Sequence, residues 1–273
     1  MIQEFYLPTS INEACQLKQK LGNSSLFIAG GTEINFRKDL CVEKVISLEK
    51  LGLDYIEVSE NLLKIGSMAK LQDIVDSKKI DSIFDGIKKA ALSFENIHLR
   101  NIATIGGNIG ASYSFSIMIP MLIAYRAMLE IANEHGETCY ISIEDYVYKS
   151  NKSLILSINL PKPADNFRFD TQKYSRTAFD FSTLQTAVSM NIKDGKANNP
   201  IVAIGYLGKH VYRLEEIEQM IPSISENYQW ESLETLVSKL VEPIADIRGK
   251  ADFKKYMAGV LVARSVRNCL ERK

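Results

Sequence analysis

Arg100-Asn101-Ile102-Ala103-Thr104-Ile105-Gly106-Gly107-Asn108-Ile109 is the stretch that decides how this chain is read. An apolar run enters a glycine pair, and a small polar residue follows. Nothing projects from a glycine, so a ligand phosphate can approach the backbone there, and successive amide N–H groups can converge on it as an anion nest. A helix N-terminus after the pair strengthens the attraction. The plainer reading, a tight turn and nothing more, stands beside this one.

Working outward, Phe27-Ile28-Ala29-Gly30-Gly31-Thr32-Glu33-Ile34-Asn35 has the same plan. A diphosphate has two phosphates to hold, and two such loops can grip it from opposite sides. Thr32 and Asn108 add side-chain donors at equivalent places. Neither segment spells G-x-G-x-x-G followed by a ribose-binding acid, and there is no G-x-x-x-x-G-K-[ST]. A Rossmann dinucleotide domain and a P-loop NTPase are therefore disfavoured.

The chain has 273 residues, long enough for two compact units. With 33 basic and 33 acidic residues there is no net field to attract a polyanion, which argues against nucleic acid. The N-terminus lacks a basic region followed by an apolar stretch, so secretion is not expected. The longest apolar run, residues 117–124, is interrupted by Pro120 and is too short to span a bilayer. The expectation is a cytoplasmic protein with no membrane segment. Cys15, Cys41, Cys139 and Cys269 are far apart, as are His98, His135 and His210, so no metal site is expected. Redox chemistry here would need an organic cofactor.

Ser10-Ile11-Asn12-Glu13 reads as a capping box opening a helix that closes at Gly22. Strands are expected at 25–29, 44–48 and 61–68, with helices at 69–77 and 85–96. Further strands are expected at 127–132, 138–143 and 154–160, ending at Pro161-Lys162-Pro163, the best domain boundary. Beyond it come long alternating strands, one from Leu184 to Ile192, an Asp194-Gly195 turn and a strand from Ile201 to Tyr206. Helices over 232–241 and 253–270 finish the chain. The order implies an α+β fold.

The segment 100–109, with Ala29-Gly30-Gly31-Thr32, resembles the two pyrophosphate loops of the FAD-binding subunits of molybdenum hydroxylases, the flavin subunits of xanthine dehydrogenase and carbon monoxide dehydrogenase. The resemblance continues through Ile155-Leu156-Ser157-Ile158-Asn159-Leu160-Pro161, through Lys173, Arg176 and Asp180, and through Asp246-Ile247-Arg248-Gly249-Lys250-Ala251-Asp252-Phe253. Stand-alone flavin subunits that accompany bacterial purine hydroxylases look most similar. The resemblance implies a PCMH-type FAD-binding fold over residues 1–165, with subdomains of about 1–56 and 57–165, and a sheet-and-helix domain over 166–273.

It also implies FAD as cofactor, with the diphosphate between residues Ala29, Gly30, Gly31, Thr32, Glu33, Ile34 and Asn35 and residues Thr104, Ile105, Gly106, Gly107, Asn108 and Ile109. The ring would lie near Ile155, with Lys173 available to stabilise negative charge on it. Partners would be an iron–sulfur subunit and a molybdenum-cofactor subunit, with NAD or another molecule accepting the electrons. No residue of this chain would be catalytic by itself. The pattern departs at Ile117, where the family commonly has an Asp contacting the cofactor; Ser114 or Ser116 are the replacements at hand. A flavin-poor scaffold subunit is the alternative this departure keeps open. A reductase of peptidoglycan precursors on the same clasp would need an acid and Ser/Glu constellation in the last domain that is not found.

Overall fold

The computed structural model describes residues 2–36, 42–149, 153–177, 180–205, 208, 210–225 and 228–271. Cys41, and Tyr206 at the expected strand end, lie outside them. The chain opens β1 (Glu4–Tyr6), α1 (Ile11–Leu21), β2 (Ser25–Ile28), α2 (Thr32–Phe36), β3 (Lys44–Ser47), β4 (Ile56–Val58) and β5 (Leu62–Gly66). A helical stretch follows: α3 (Leu71–Asp76), α4 (Asp85–Leu92), α5 (Ile97–Arg100), α6 (Ile105–Ala111) and α7 (Met118–Ala124). Then come β6 (Met128–Ala132), β7 (Thr138–Ser142), α8 (Ile143–Tyr148) and β8 (Leu154–Pro161). The last part holds β9 (Phe167–Tyr174), β10 (Leu184–Lys193), β11 (Lys196–Gly205), β12 (Tyr212–Arg213), α9 (Glu215–Met220), α10 (Trp230–Leu240) and α11 (Ala251–Glu271). The α+β class expected from the sequence is the class observed.

The elements form two compact units that interleave in sequence. One contains Met1–Ser82, Asn96–Ser112 and Ala127–Lys162; the other contains Ile83–Glu95, Tyr113–Arg126 and Pro163–Lys273. The crossing after Lys162 falls within the proline pair. By contact, residues 83–95 and 113–126 belong to the second unit.

In the first unit, β1, β3 and β2 make a parallel three-stranded sheet, and β4-β5-β8-β6-β7 an antiparallel five-stranded one. One sheet is complete by Ser47 and the other begins at Ile56. Helix α1 starts where the Ser10 hydroxyl accepts the Glu13 amide at 3.2 Å. Glu13 reaches back to the Thr9 amide at 2.8 Å, not to that of Ser10, so the reciprocal half of the box is displaced by one residue. The apolar face of α1 places Ala14 and Cys15 in a core with Ile46, Leu48, Leu53, Leu154 and Leu156. Strand β8 is central, and seven of its eight residues are buried on one face or the other.

In the second unit, β12-β11-β10-β9 form an antiparallel sheet. Asp194 (φ 52°) and Gly195 (φ 72°) turn β10 into β11, the paired left-handed residues that suit a tight hairpin. Leu184 and Val188 on one face of β10 pack with Val262 and Val266 of α11. On the other face Gln185 donates to the Ile117 carbonyl at 3.0 Å and Ser189 to that of Ala124 at 2.6 Å. Helix α7 is buried at every position. A segment without a polar face must be covered on all sides, which is why this apolar run lies against the β10–β11 sheet.

Candidate functional site

The first glycine segment leaves β2 at Ile28 and turns through Gly31, whose φ of 70° lies in the left-handed region, before entering α2. The second leaves α5, which Asn96 caps by accepting the Leu99 amide at 3.1 Å. It then enters α6 directly. Gly106 and Gly107 therefore lie in the first turn of a helix, and that turn is capped by the Thr104 hydroxyl, which accepts the Gly107 amide at 3.0 Å. The poor helix propensity of two glycines is offset by this cap and by packing against Ser67.

The two segments touch. A Cβ placed on Gly30 would lie 1.9 Å from the Ile102 carbonyl oxygen, and one on Gly107 would meet the Ala29 side chain at 3.9 Å. Gly106 serves a different purpose: its Cβ would fall 2.5 Å from Cβ of Ser67, and its amide donates to the Ser67 carbonyl at 2.9 Å. The Ile105 amide donates to the Ala69 carbonyl and that of Asn108 to the Thr104 carbonyl, each at 3.0 Å. All four amides from 105 to 108 are thus engaged within the protein. The anion nest expected from the sequence is not formed by this segment, because the backbone is already closed into a helix and pinned to the end of β5. What it presents is the Thr104 hydroxyl hydrogen, since the oxygen is the acceptor in the cap.

Around this contact lies a cleft of about 520 Å³, within the range of ligand pockets. Ala29 and Gly30 line it from the first segment, and Asn101, Ile102 and Thr104 from the second. Lys70 contributes a positive charge and Glu49 and Asp54 negative ones. The cleft has no cationic surplus, so an anionic ligand would be held by dipoles and shape more than by net charge.

The other expected residues divide between the units. Ile155 is buried in β8 opposite Ile131, in the same unit as the cleft. Ser114, Ser116 and Lys173 belong to the second unit. Ser116 is buried and its hydroxyl accepts the Ile119 amide at 3.2 Å, at the start of α7. Lys173 donates from Nζ to the Ser93 carbonyl at 3.2 Å, and burial draws its ammonium below the usual lysine range. Arg176 and Asp180 form an ion pair at 2.7 Å. In the 246–253 signature, Asp246 accepts the Arg248 amide at 2.8 Å and pairs at 3.0 Å with Lys254, which is buried, so the signature works as a clamped turn. His98 is exposed.

Ile117 is 6% exposed. An Asp there would bring a carboxylate into a buried position and remove a buried apolar side chain, so Ile117→Asp is expected to cost more than about 3 kcal/mol of stability. It should bring no gain in FAD affinity. Urea unfolding with a parallel flavin titration checks both; tighter FAD binding by a stable variant would show that the carboxylate reaches the cofactor.

Two residues behind the site escaped the sequence reading. Arg100, inside the quoted motif, is buried and donates from Nε to Oε1 of Gln72 at 2.9 Å, tying α5 to α3. Nothing in the local pattern marks Gln72 as its acceptor. The Ser67 hydroxyl is buried without a hydrogen-bond partner among the described residues, beside Gly106.

Residues 1–163 match the family described as the FAD binding domain in molybdopterin dehydrogenase. The chain is 32% identical over 271 residues to the uncharacterized protein YgfM of Escherichia coli K12, covering 98% of this chain and 97% of that one. It is 22% identical over 281 residues to the carbon monoxide dehydrogenase medium chain of Afipia carboxidovorans, with coverage of 98% and 97%. Carbon monoxide dehydrogenase from Hydrogenophaga pseudoflava, solved without the Mo-pyranopterin moiety, has the same fold: TM-score 0.91 at 22% identity, over 98% of this chain and 97% of that one. A parallel sheet and an antiparallel sheet bringing two glycine segments together thus define an FAD-binding unit of the molybdopterin dehydrogenase type. This chain belongs to that family, the FAD-binding subunits of molybdenum hydroxylases, and is an FAD-dependent oxidoreductase subunit.

Proposed function

We propose that this chain is the electron-relay subunit of a molybdenum hydroxylase assembly. FAD would supply the redox chemistry when bound, as the carrier between iron–sulfur clusters of a partner subunit and NAD or another acceptor. The chain's own residues hold it: the Gly31 turn and the first turn of α2 on one side, and the Thr104 hydroxyl with Asn108 on the other. Ser114, Ser116, Ile155 and Lys173 are the further contacts in this reading. The observation that carries it is the contact of Gly30 with Ile102 beside a left-handed Gly31, inside the region that matches an FAD-binding family. Relatives named as medium chains, of carbon monoxide dehydrogenase and glyceraldehyde dehydrogenase, support a subunit role.

The isolated, FAD-loaded chain is expected to pass electrons at most between NADH and an artificial dye. It should not hydroxylate any heterocycle, because substrate oxidation belongs to the partner subunits. Adding cluster- and molybdenum-bearing subunits should let substrate reduce the flavin. Hydroxylation by the single purified chain would overturn the proposal.

A further inference from the structure

Strand β1 carries an aromatic ring that the contact of the glycine segments does not explain. Side chains alternate along a strand. Glu4 and Tyr6 take one face, where the Tyr6 hydroxyl donates to Glu4 and Lys44 pairs with Glu4 at 3.0 Å. The Tyr6 ring packs there on the core that holds Ala14 and Cys15. Phe5 therefore faces the other way, onto the cleft, and is 62% exposed. A single exposed apolar residue needs no explanation. One that lines a ligand-sized cleft offers the ligand a ring face.

The sheet puts that ring where a ligand is expected. Strands β1, β3 and β2 run parallel, with Phe5 opposite Val45. Ile28 and Ser47, the last residues of β2 and β3, both line the cleft, so it lies at the carboxyl ends of the strands. Open sheets with parallel strands receive their ligands at that end. The Ser47 hydroxyl accepts the Glu49 amide at 3.3 Å and shapes the turn that brings Glu49 to the cleft wall.

The lining also distinguishes the two rings of a flavin dinucleotide. Glu49 and Asp54 are hydrogen-bond acceptors, and a nucleoside offers them hydroxyl and amino donors. Negative charge on a reduced flavin would be opposed by these two carboxylates, of which Lys70 on the same wall balances one. Ile155, the residue of this unit assigned to the flavin ring, is not part of the wall.

We propose that Phe5 is a cofactor-binding residue: its ring stacks on the purine base of the cofactor's nucleoside diphosphate half, and Glu49 and Asp54 accept hydrogen bonds from that nucleoside. The proposal rests on the reading of the two glycine segments as the FAD diphosphate site, and it assigns the space beside them.

The test is competition of ADP and UDP with FAD on the full chain, scored as the FAD left on the protein. A nucleotide bound elsewhere then does not count. Phe5→Ala should weaken ADP at least about tenfold, the size of a lost base–aromatic stack, and FAD in parallel. Phe5→Leu keeps apolar bulk on the edge strand without the ring face and should lose at least about threefold, while Phe5→Tyr should stay within about twofold of the wild type. The wild type should prefer ADP to UDP, because a purine stacks over more area. Phe5→Ala should narrow that preference, which a merely disturbed strand would not do. ADP that fails to displace FAD, or an ADP affinity that is the same in the wild type, Phe5→Ala and Phe5→Leu, overturns the proposal. Either result leaves FAD bound by the wild type and the flavin reading standing; a wild-type chain that binds no FAD removes both.

Discussion

Gly30→Ala is expected to lose FAD and to lower the unfolding free energy by about 3 kcal/mol, the upper end for overpacking a well-filled site. The added Cβ would lie 1.9 Å from the Ile102 carbonyl oxygen and 2.8 Å from its carbon, backbone atoms that cannot rotate away. The neighbouring chain has little freedom to retreat. The amides of Ile102 and Ala103 both donate to the Leu99 carbonyl, and the Ala103 carbonyl accepts the Leu71 amide at 2.9 Å. Gly110→Ala is the matched control, since a Cβ there meets nothing within 4 Å and alanine is the better helix former. Urea unfolding and flavin content of the purified variants decide the matter. Wild-type stability with full flavin in Gly30→Ala would mean that the two segments do not need this approach.

Gly31→Val addresses the ligand more directly. At a φ of 70° a β-branched residue is a strained choice, with a cost of order 1–3 kcal/mol. The substitution is expected to change the shape of the turn into α2, and a urea transition measured beside the flavin content separates a lost turn from a lost fold. Loss of that geometry is expected to weaken FAD by at least tenfold, about 1.4 kcal/mol.

Much of this was legible in the sequence, for local reasons. Two glycine pairs after apolar stretches pointed to close backbone approach, and the structure brings them into contact. Ser10 before an apolar periodicity marked α1, and the alternating strand ending at Asp194-Gly195 marked the hairpin. The helical state of 105–111 was not legible, because two glycines argue against a helix and the features that favour it are a cap from Thr104 and packing on Ser67. The placement of α7 was hidden too: an all-apolar run says that it will be covered but not by what, and its cover lies on strands far along the chain. Lys173 likewise meets Ser93 across 80 residues of sequence, so only the fold assigns that partner.

The measurement closest to the central claim is a fluorescence titration of FAD onto the purified chain, with Gly31→Val and Gly110→Ala run beside the wild type. One FAD per chain, bound equally by the wild type and Gly110→Ala and at least about tenfold more weakly by a folded Gly31→Val, is the predicted result. Equal affinity in all three would contradict a diphosphate site at the contact of the two glycine segments.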